Sequence, residues 1–135
     1  MVIRSNEKKH LLLSHSLDGG KSWSPIQQTD IISPGSMSRV FYSDEHFFII
    51  HNDSKNGARN SLAITILEDV LAENYKTLNL VSHNSDFFSN FSIHVEGNIV
   101  YLTYQRLIRS EKYSSPPDRI EMMTFTIKDI LDKKD

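Results

Sequence analysis

The sequence has no cysteine, no long apolar run and little net charge. Its 135 residues include 15 Lys and Arg against 17 Asp and Glu, which leaves a formal net charge of −2. Without cysteine, disulfides, thiol catalysis and cysteine-ligated metals are excluded. No segment is long and apolar enough to span a bilayer, and the first residues lack the apolar core of a signal peptide. The balanced charge gives no field that would attract nucleic acid or an anionic membrane, so neither is expected as a partner.

The residues that build cofactor and metal sites are also missing. The histidines outside residue 51 share no spacing typical of metal ligands; they are His10, His15, His46, His83 and His94. There is no glycine-rich phosphate loop and no Ser-His-Asp order. The sequence therefore predicts no metal and no cofactor. It leaves the localisation unknown, because a longer parent protein could be secreted or periplasmic although this chain shows no signal peptide.

Short strands dominate what the sequence does contain. Alternation is clearest at 61–67, where Leu62, Ile64 and Ile66 share one face of the predicted strand. Strands are predicted at 9–16, 38–43, 46–52, 61–67, 76–82, 91–95, 99–104 and 119–127. Short helices are expected at 68–75 and 128–134, and an exposed loop at 110–118. The length and composition fit a single domain over residues 1–135, of a class that includes sandwiches, barrels and propeller blades.

The most specific motif is the segment Ser16-Leu17-Asp18-Gly19-Gly20-Lys21-Ser22-Trp23. It matches the pattern Ser-x-Asp-x-Gly-x-Ser/Thr-Trp, known as the Asp-box. Aspartate accepts hydrogen bonds from nearby backbone N–H groups, and glycine tolerates positive φ. The motif thus predicts a tight turn in which Ser16, Asp18, Gly20, Ser22 and Trp23 have structural roles. Trp23 is expected to be buried beneath the turn.

The Asp-box favours propeller blades over a sandwich, which remains an alternative. A four-stranded blade takes about 40–50 residues, so this chain accounts for about three antiparallel blades. A closed ring usually needs at least about four. The expected fold is therefore all-β, a partial β-propeller whose open faces are covered by a homo-oligomer or by the remainder of a propeller. Glu68-Asp69 begins a second pattern of this kind, but the glycine and tryptophan are absent, which indicates a decayed repeat.

The order of motifs resembles the C-terminal part of the propeller in the sialidase (neuraminidase) superfamily of BNR-repeat proteins. After the Asp-box come Ser33-Pro34-Gly35-Ser36-Met37-Ser38-Arg39, a strand that ends in His51-Asn52-Asp53, the segment Arg59-Asn60-Ser61-Leu62, and a closing hairpin through Gly97. These stretches cover nearly the whole chain and imply a sialidase-like blade arrangement.

The resemblance also implies a site in which three arginines clamp a sialic acid carboxylate, with a Tyr–Glu nucleophile and an Asp acid. A guanidinium fork matches a carboxylate bidentately. Only Arg59, which follows Gly57, lies where a clamp arginine belongs. Asn90-Phe91 stand where the tyrosine is expected, so no catalytic residue is predicted. Further ligand-binding candidates end the preceding strand: His51, Asn52 and Asp53.

Three functions are therefore expected as alternatives. The first is a carbohydrate-associated, sialidase-like domain that is catalytically incomplete and whose ligand is sialic acid or another acidic glycan. The second is an exo-sialidase-type glycoside hydrolase completed by another chain or copy. The third is a non-catalytic protein-interaction β-scaffold. Enzyme activity is uncertain at this point, with a sialidase-like hydrolase implied by the resemblance alone.

Overall fold

The computed structural model describes residues 1–4, 9–54, 58–69, 71–108 and 118–133, with only the backbone of residue 118. Within them lie ten strands and one short helix. The strands are β1 Val2–Ile3, β2 His10–Leu13, β3 Gln27–Ile32, β4 Arg39–Ser43, β5 His46–His51, β6 Ser61–Leu67, β7 Tyr75–Ser82, β8 Asp86–Glu96, β9 Ile99–Ile108 and β10 Asp118–Thr126, and the helix is α1 Ile127–Asp132.

The strands form three antiparallel sheets, each made of strands that are consecutive in the chain. The first sheet has the order β1-β2-β3, the middle sheet β4-β5-β6-β7, and the last sheet β10-β9-β8. Such a series of meandering sheets is the architecture of propeller blades. The predicted all-β fold of about three antiparallel blades is confirmed.

The middle sheet is covered on both faces. One face packs on the last sheet through Phe48, Ile50 and Ile64, within a cluster that also contains Phe88 and Leu102. The other face packs on the first sheet, in a second cluster formed by Leu11, Leu13, Ile31, Ile49, Leu67 and Ala72. Consequently every residue of β6 is buried. The alternation predicted for this strand separates two buried faces rather than a buried face and an exposed one.

Two hairpin turns follow directly from local chemistry. Ser43 pairs with His46, so Asp44 and Glu45 form a two-residue connection in which both have positive φ, 47° and 62°. Gly97, with φ 58°, occupies the corresponding connection between β8 and β9. Two-residue hairpins favour positive φ because that backbone twist matches the twist of the paired strands. The predicted turn at Gly97 is thereby confirmed.

Every predicted strand has a counterpart, with shifted ends, and the terminal helix is confirmed at Ile127–Asp132, where the Thr126 side chain caps the first turn. Two strands, β1 and β3, were not predicted. The helix expected at 68–75 is wrong, because the described residues there form a turn around Asp69 that leads into β7. Most of the loop expected at 110–118 lies outside the described residues.

Candidate functional site

The Asp-box forms a turn held by two side chains. The Ser16 hydroxyl oxygen accepts the Gly20 N–H at 2.7 Å and donates to Asp18 Oδ1 at 2.8 Å. Asp18 in turn accepts the Ser22 N–H at 2.9 Å and the Ser22 hydroxyl at 2.6 Å. These bonds lower the pKa of the Asp18 carboxyl from 3.8 to about 2, and the bond from the Ser22 hydroxyl has the largest effect. The geometry supports a structural role for the motif.

The expected burial of Trp23 is wrong. Its side chain is 49% exposed, and its ring lies at the rim of the turn, where Nε1–H donates to the Gly20 carbonyl at 3.2 Å. The buried apolar positions of this sheet are taken by Leu11, Leu13 and Ile31. Because Trp23 lies before β3 begins, its ring lies along the turn and not on the buried face of the sheet.

A cavity of about 130 Å³ lies where the middle and last sheets meet. Its walls are formed by Arg4, Ser36, Met37, Asn52, Arg59, Ser89, Asn90 and Phe91. We call this cavity the Arg59 pocket. It brings together two of the four ligand-binding candidates, Arg59 and Asn52, with the Asn90-Phe91 segment that replaces the expected tyrosine. Its described walls include two arginines, Arg4 and Arg59, and no Asp or Glu, and these residue types favour an anion.

The edge of β8 holds two of these walls in place. The Phe88 N–H donates to the Arg59 carbonyl at 2.7 Å, and the Phe88 carbonyl accepts from Asn52 Nδ2 at 3.2 Å. Asn52 Nδ2 also donates to the Ser61 carbonyl at 2.7 Å. An edge strand exposes backbone groups that need partners, and here those partners are the segments that carry Arg59 and Asn52.

The Arg59 side chain is half-buried and lies over an aromatic ring. Its Cζ is 5.2 Å from the centre of the Phe87 ring, which is a cation–π distance. This contact orients the guanidinium without a described carboxylate partner in the pocket. Gly57, the flexible residue expected before Arg59, lies outside the described residues.

The segment that replaces the tyrosine is a bulge of β8. The pairing of β8 with β9 shifts between Ser89 and Ser92, and Asn90 has a φ of 49°. Asn90 Nδ2 donates to Gln105 Oε1 at 2.7 Å, while Phe91 is buried. A bulge redirects side chains at a strand edge, and this one lies in the wall of the pocket.

Comparison with protein families identifies the chain. A family model described as BNR repeat-like domain matches residues 1–116. The chain belongs to this family. The resemblance to BNR-repeat proteins of the sialidase superfamily is thereby confirmed at the level of the family. Comparison with curated proteins and with solved structures finds no match.

Two candidate residues of this BNR repeat-like domain lie away from the Arg59 pocket. His51 is fully buried, with Nε2 2.7 Å from Thr65 Oγ1 and Nδ1 3.0 Å from the Asn52 carbonyl. Burial lowers the pKa of its imidazole. The backbone of Asp53 bonds to the Ser61 hydroxyl through both its N–H and its carbonyl. Both residues therefore brace the end of β5.

A tyrosine–glutamate contact exists elsewhere in the domain. The Tyr104 hydroxyl donates to Glu121 Oε2 at 3.0 Å, and Arg106 Nη1 lies 3.3 Å from Glu121 Oε1. Burial first, then the bond to Glu121, raises the pKa of the Tyr104 phenol. Tyr104 is a core residue and is not among the walls of the Arg59 pocket. A raised pKa also makes it a poorer nucleophile.

Sequence reasoning missed Arg4 and Ser36 as walls of the pocket. Ser36 lies in the Ser33–Arg39 motif that carried part of the resemblance. The motif was identified in the sequence, but no function was predicted for Ser36. Across the described ranges, no group of three or more His, Cys, Asp or Glu is placed to hold a metal. In the same ranges no helix is long and apolar enough to cross a membrane.

Proposed function

We propose that this BNR repeat-like domain binds an acidic glycan, with sialic acid as the first candidate, in the Arg59 pocket and does not hydrolyse it. The observation that carries the proposal is the position of Arg59, whose guanidinium lies over the Phe87 ring beside a cavity that Arg4 also lines and whose described walls include no Asp or Glu. Guanidinium forks bind carboxylates bidentately. The sialidase-superfamily relationship supports a sugar acid as the source of that carboxylate.

The proposed lack of hydrolysis rests on the groups that the pocket does not present. A sialidase-type reaction needs a nucleophile and a proton donor on opposite sides of the scissile bond. The described walls include Asn90 and Phe91, the segment where the resemblance leads one to expect the tyrosine nucleophile, and they include no Asp or Glu. Binding and turnover are therefore separable in this domain.

Binding is tested by calorimetric titration of N-acetylneuraminic acid into the wild type, Arg59→Ala and Arg39→Ala. Arg39 is an exposed arginine on β4 that does not line the pocket, so it controls for loss of a positive charge. Loss of a charge-assisted bond should weaken binding about 10- to 100-fold in Arg59→Ala, while the Arg39 variant should bind as the wild type does. Equal weakening in both variants, or no binding by the wild type, would overturn the proposal.

Turnover is tested on the same proteins with a fluorogenic sialoside. We expect no release of the fluorophore by the wild type. Release that disappears in Arg59→Ala would favour the alternative of a glycoside hydrolase completed by another chain or copy. The melting temperature should shift by no more than about 4 °C in Arg59→Ala, since the substitution removes one cation–π contact of a half-buried side chain.

The protein-interaction alternative has one observation in its favour. Ile120 and Met122 lie on the same face of β10 and are 85% and 65% exposed. We propose as a second candidate that this face binds a second copy of the chain or the remainder of a propeller. Light scattering should then show a dimer or larger species that Ile120→Asp disrupts. A wild-type monomer at high concentration would rule out self-association through this face.

A further inference from the structure

The last sheet ends at a strand that has a partner on one side only. β10 pairs with β9, and no described strand lies on its other side, which we call the β10 edge. The opposite end of this sheet is β8, where the segments that carry Arg59 and Asn52 bond to the backbone of Phe88. An unpaired edge strand presents backbone N–H and C=O groups that another chain can bind.

The β10 edge differs from the outer strands of the other two sheets. β1 has two residues, and β3 pairs with β2 through an irregular register. In the middle sheet β4 has five residues, and β7 pairs irregularly with β6. By contrast β10 has nine residues, no proline and an unbroken register, and it exposes Ile120 and Met122 at 85% and 65%. Short strands and bulges protect sheet edges from pairing, and β10 has neither.

The two faces of β10 restrict the kind of strand that can add to it. Met123 and Phe125 pack against the core, and the opposite face exposes Ile120, Met122 and Thr124. Residues directly opposite each other in an antiparallel pair lie on the same face of the sheet. An added strand must therefore be apolar on both faces and antiparallel to β10. A second copy of β10 meets this requirement with its own sequence.

Symmetric pairing of two β10 strands places one residue opposite itself. Glu121 or Arg119 at that position would bring like charges together, which is unfavourable. Met122 is the middle residue of β10, so only the register with Met122 at that position pairs the whole strand. In this register Ile120 lies opposite Thr124 of the partner subunit, and no charged residue lies opposite a like charge.

We propose that two copies of this domain associate through the β10 edge, antiparallel and with Met122 on the two-fold axis, so that their last sheets form one continuous sheet. The pairing would form about eight to ten backbone hydrogen bonds. This inference rests on the second candidate function, since it assigns self-association to one strand and one register. β10 lies beyond residues 1–116, which match the family model.

The absence of cysteine allows single substitutions to test the register. Opposed residues have Cα atoms about 4.5–5.5 Å apart, within the reach of a disulfide. Met122→Cys should therefore give a disulfide-linked dimer under mild oxidation. Ile120→Cys should give at most about a tenth of that yield, because its two cysteines would lie about 13 Å apart along the strands. Leu17→Cys controls for random collision, because Leu17 is 85% exposed in the Asp-box turn.

A charge substitution gives a second measurement, by sedimentation equilibrium. Met122→Lys places two ammonium groups opposite each other and should raise the dimer dissociation constant at least about tenfold, whereas Leu17→Lys should leave it unchanged. A wild-type monomer at high concentration would refute both self-association and this inference. A dimer in which Met122→Cys crosslinks no better than Ile120→Cys or Leu17→Cys would keep self-association and refute the proposed register. Neither result depends on ligand binding in the Arg59 pocket.

Discussion

The turn after β2 and the turn after β6 are each held by one aspartate carboxylate. Asp18 Oδ1 accepts the N–H of Ser22 at 2.9 Å, and Asp69 Oδ1 accepts the N–H of Glu73 at 3.2 Å, so in both turns the donor lies four residues later. Asp69 also accepts from the Leu71 N–H at 2.9 Å. The second turn thus keeps the central bond of the Asp-box although its glycine and tryptophan are absent.

The two turns differ in what surrounds the carboxylate. In the Asp-box, Gly20 has a φ of 88° and Trp23 remains half exposed. In the second turn the positive φ belongs to Ala72, at 57°, and Ala72 is buried in the cluster that contains Leu67. The comparison indicates that the aspartate is the part of the motif that makes the turn, while glycine and tryptophan can be replaced by packing against a core.

Substitution of the apolar side chains at the two turns should have the largest effect on the free energy of unfolding, and this effect should differ between the turns. Leu67 is 5% exposed, so Leu67→Ala should cost about 3–4 kcal/mol. Trp23→Ala should cost about 2 kcal/mol, because half of the ring already contacts water. Urea denaturation followed by circular dichroism measures both, since Trp23 is the single tryptophan and its loss removes the tryptophan fluorescence. A larger cost for Trp23→Ala than for Leu67→Ala would show that the exposed ring is the stronger support.

Substitution of the glycine that has a positive φ in the Asp-box turn should have the next largest effect on the free energy of unfolding. Gly20→Ala places a side chain at φ 88°, where the new Cβ would meet only Trp23 Cζ2, at an ordinary 3.9 Å. The left-handed conformation itself should then cost about 1–2 kcal/mol. The same denaturation curves measure this cost, and an unchanged midpoint would show that the Asp-box turn adapts to a non-glycine residue as the Asp69 turn does.

The reciprocal substitution in the second turn should have a smaller effect. Ala72→Gly relieves the strain of a positive φ, worth about 1 kcal/mol, and removes one buried methyl group, worth about 0.8 kcal/mol. The two contributions oppose each other, so the free energy of unfolding should change by less than about 1 kcal/mol. A loss above about 2 kcal/mol would mean that the methyl contact in the Leu67 cluster, rather than the aspartate, holds this turn.

The turn at Asp69 also shows where sequence patterns mislead. The helix was expected there because the segment contains good helix formers, Leu71, Ala72 and Glu73. In the structure, however, the N–H groups of Glu73 and Asn74 donate to the Asp69 carboxylate, whereas in a helix they would donate to backbone carbonyls. By contrast, β6 and the hairpins at Asp44 and Gly97 follow from local residues alone. Local patterns and turn chemistry were sufficient for these elements.

Only part of the candidate site could be predicted from the sequence, and the reason is not the one that applies to the Asp69 turn. Arg59 and Asn52 were found through resemblance to family motifs. Arg4 and Ser36 join the pocket because segments distant in sequence pack at one edge of β8, and no local pattern reports that packing. The sequence also predicted that His51 lies at the end of a strand, which is correct. No local pattern indicates, however, that its side chain is buried beside Thr65.

The two carboxylates should differ in their response to acid. The pKa of Asp18 is lowered to about 2, first by the Ser22 hydroxyl. Desolvation raises the pKa of Asp69, but the N–H bonds from Glu73 and Asn74 outweigh it and lower the pKa overall. A carboxyl whose pKa is lower in the folded chain stabilises that chain fully above its unfolded pKa and loses this contribution as pH falls through the folded pKa. For Asp18 the loss should occur between about pH 4 and pH 2.

Carboxyl ¹³C resonances followed against pH measure this difference directly. Asp18 should titrate at about 2, and Asp69 should titrate below the usual aspartate value. Ser22→Ala removes the strongest bond to Asp18 and should move its midpoint upward, toward 3.8, without moving that of Asp69. Asp18→Asn should flatten the stability curve below about pH 4, because no proton can then be taken up at this position. A midpoint for Asp18 at or above that of Asp69 would mean that the serine hydroxyls of the complete motif add nothing to the backbone bonds that both turns share.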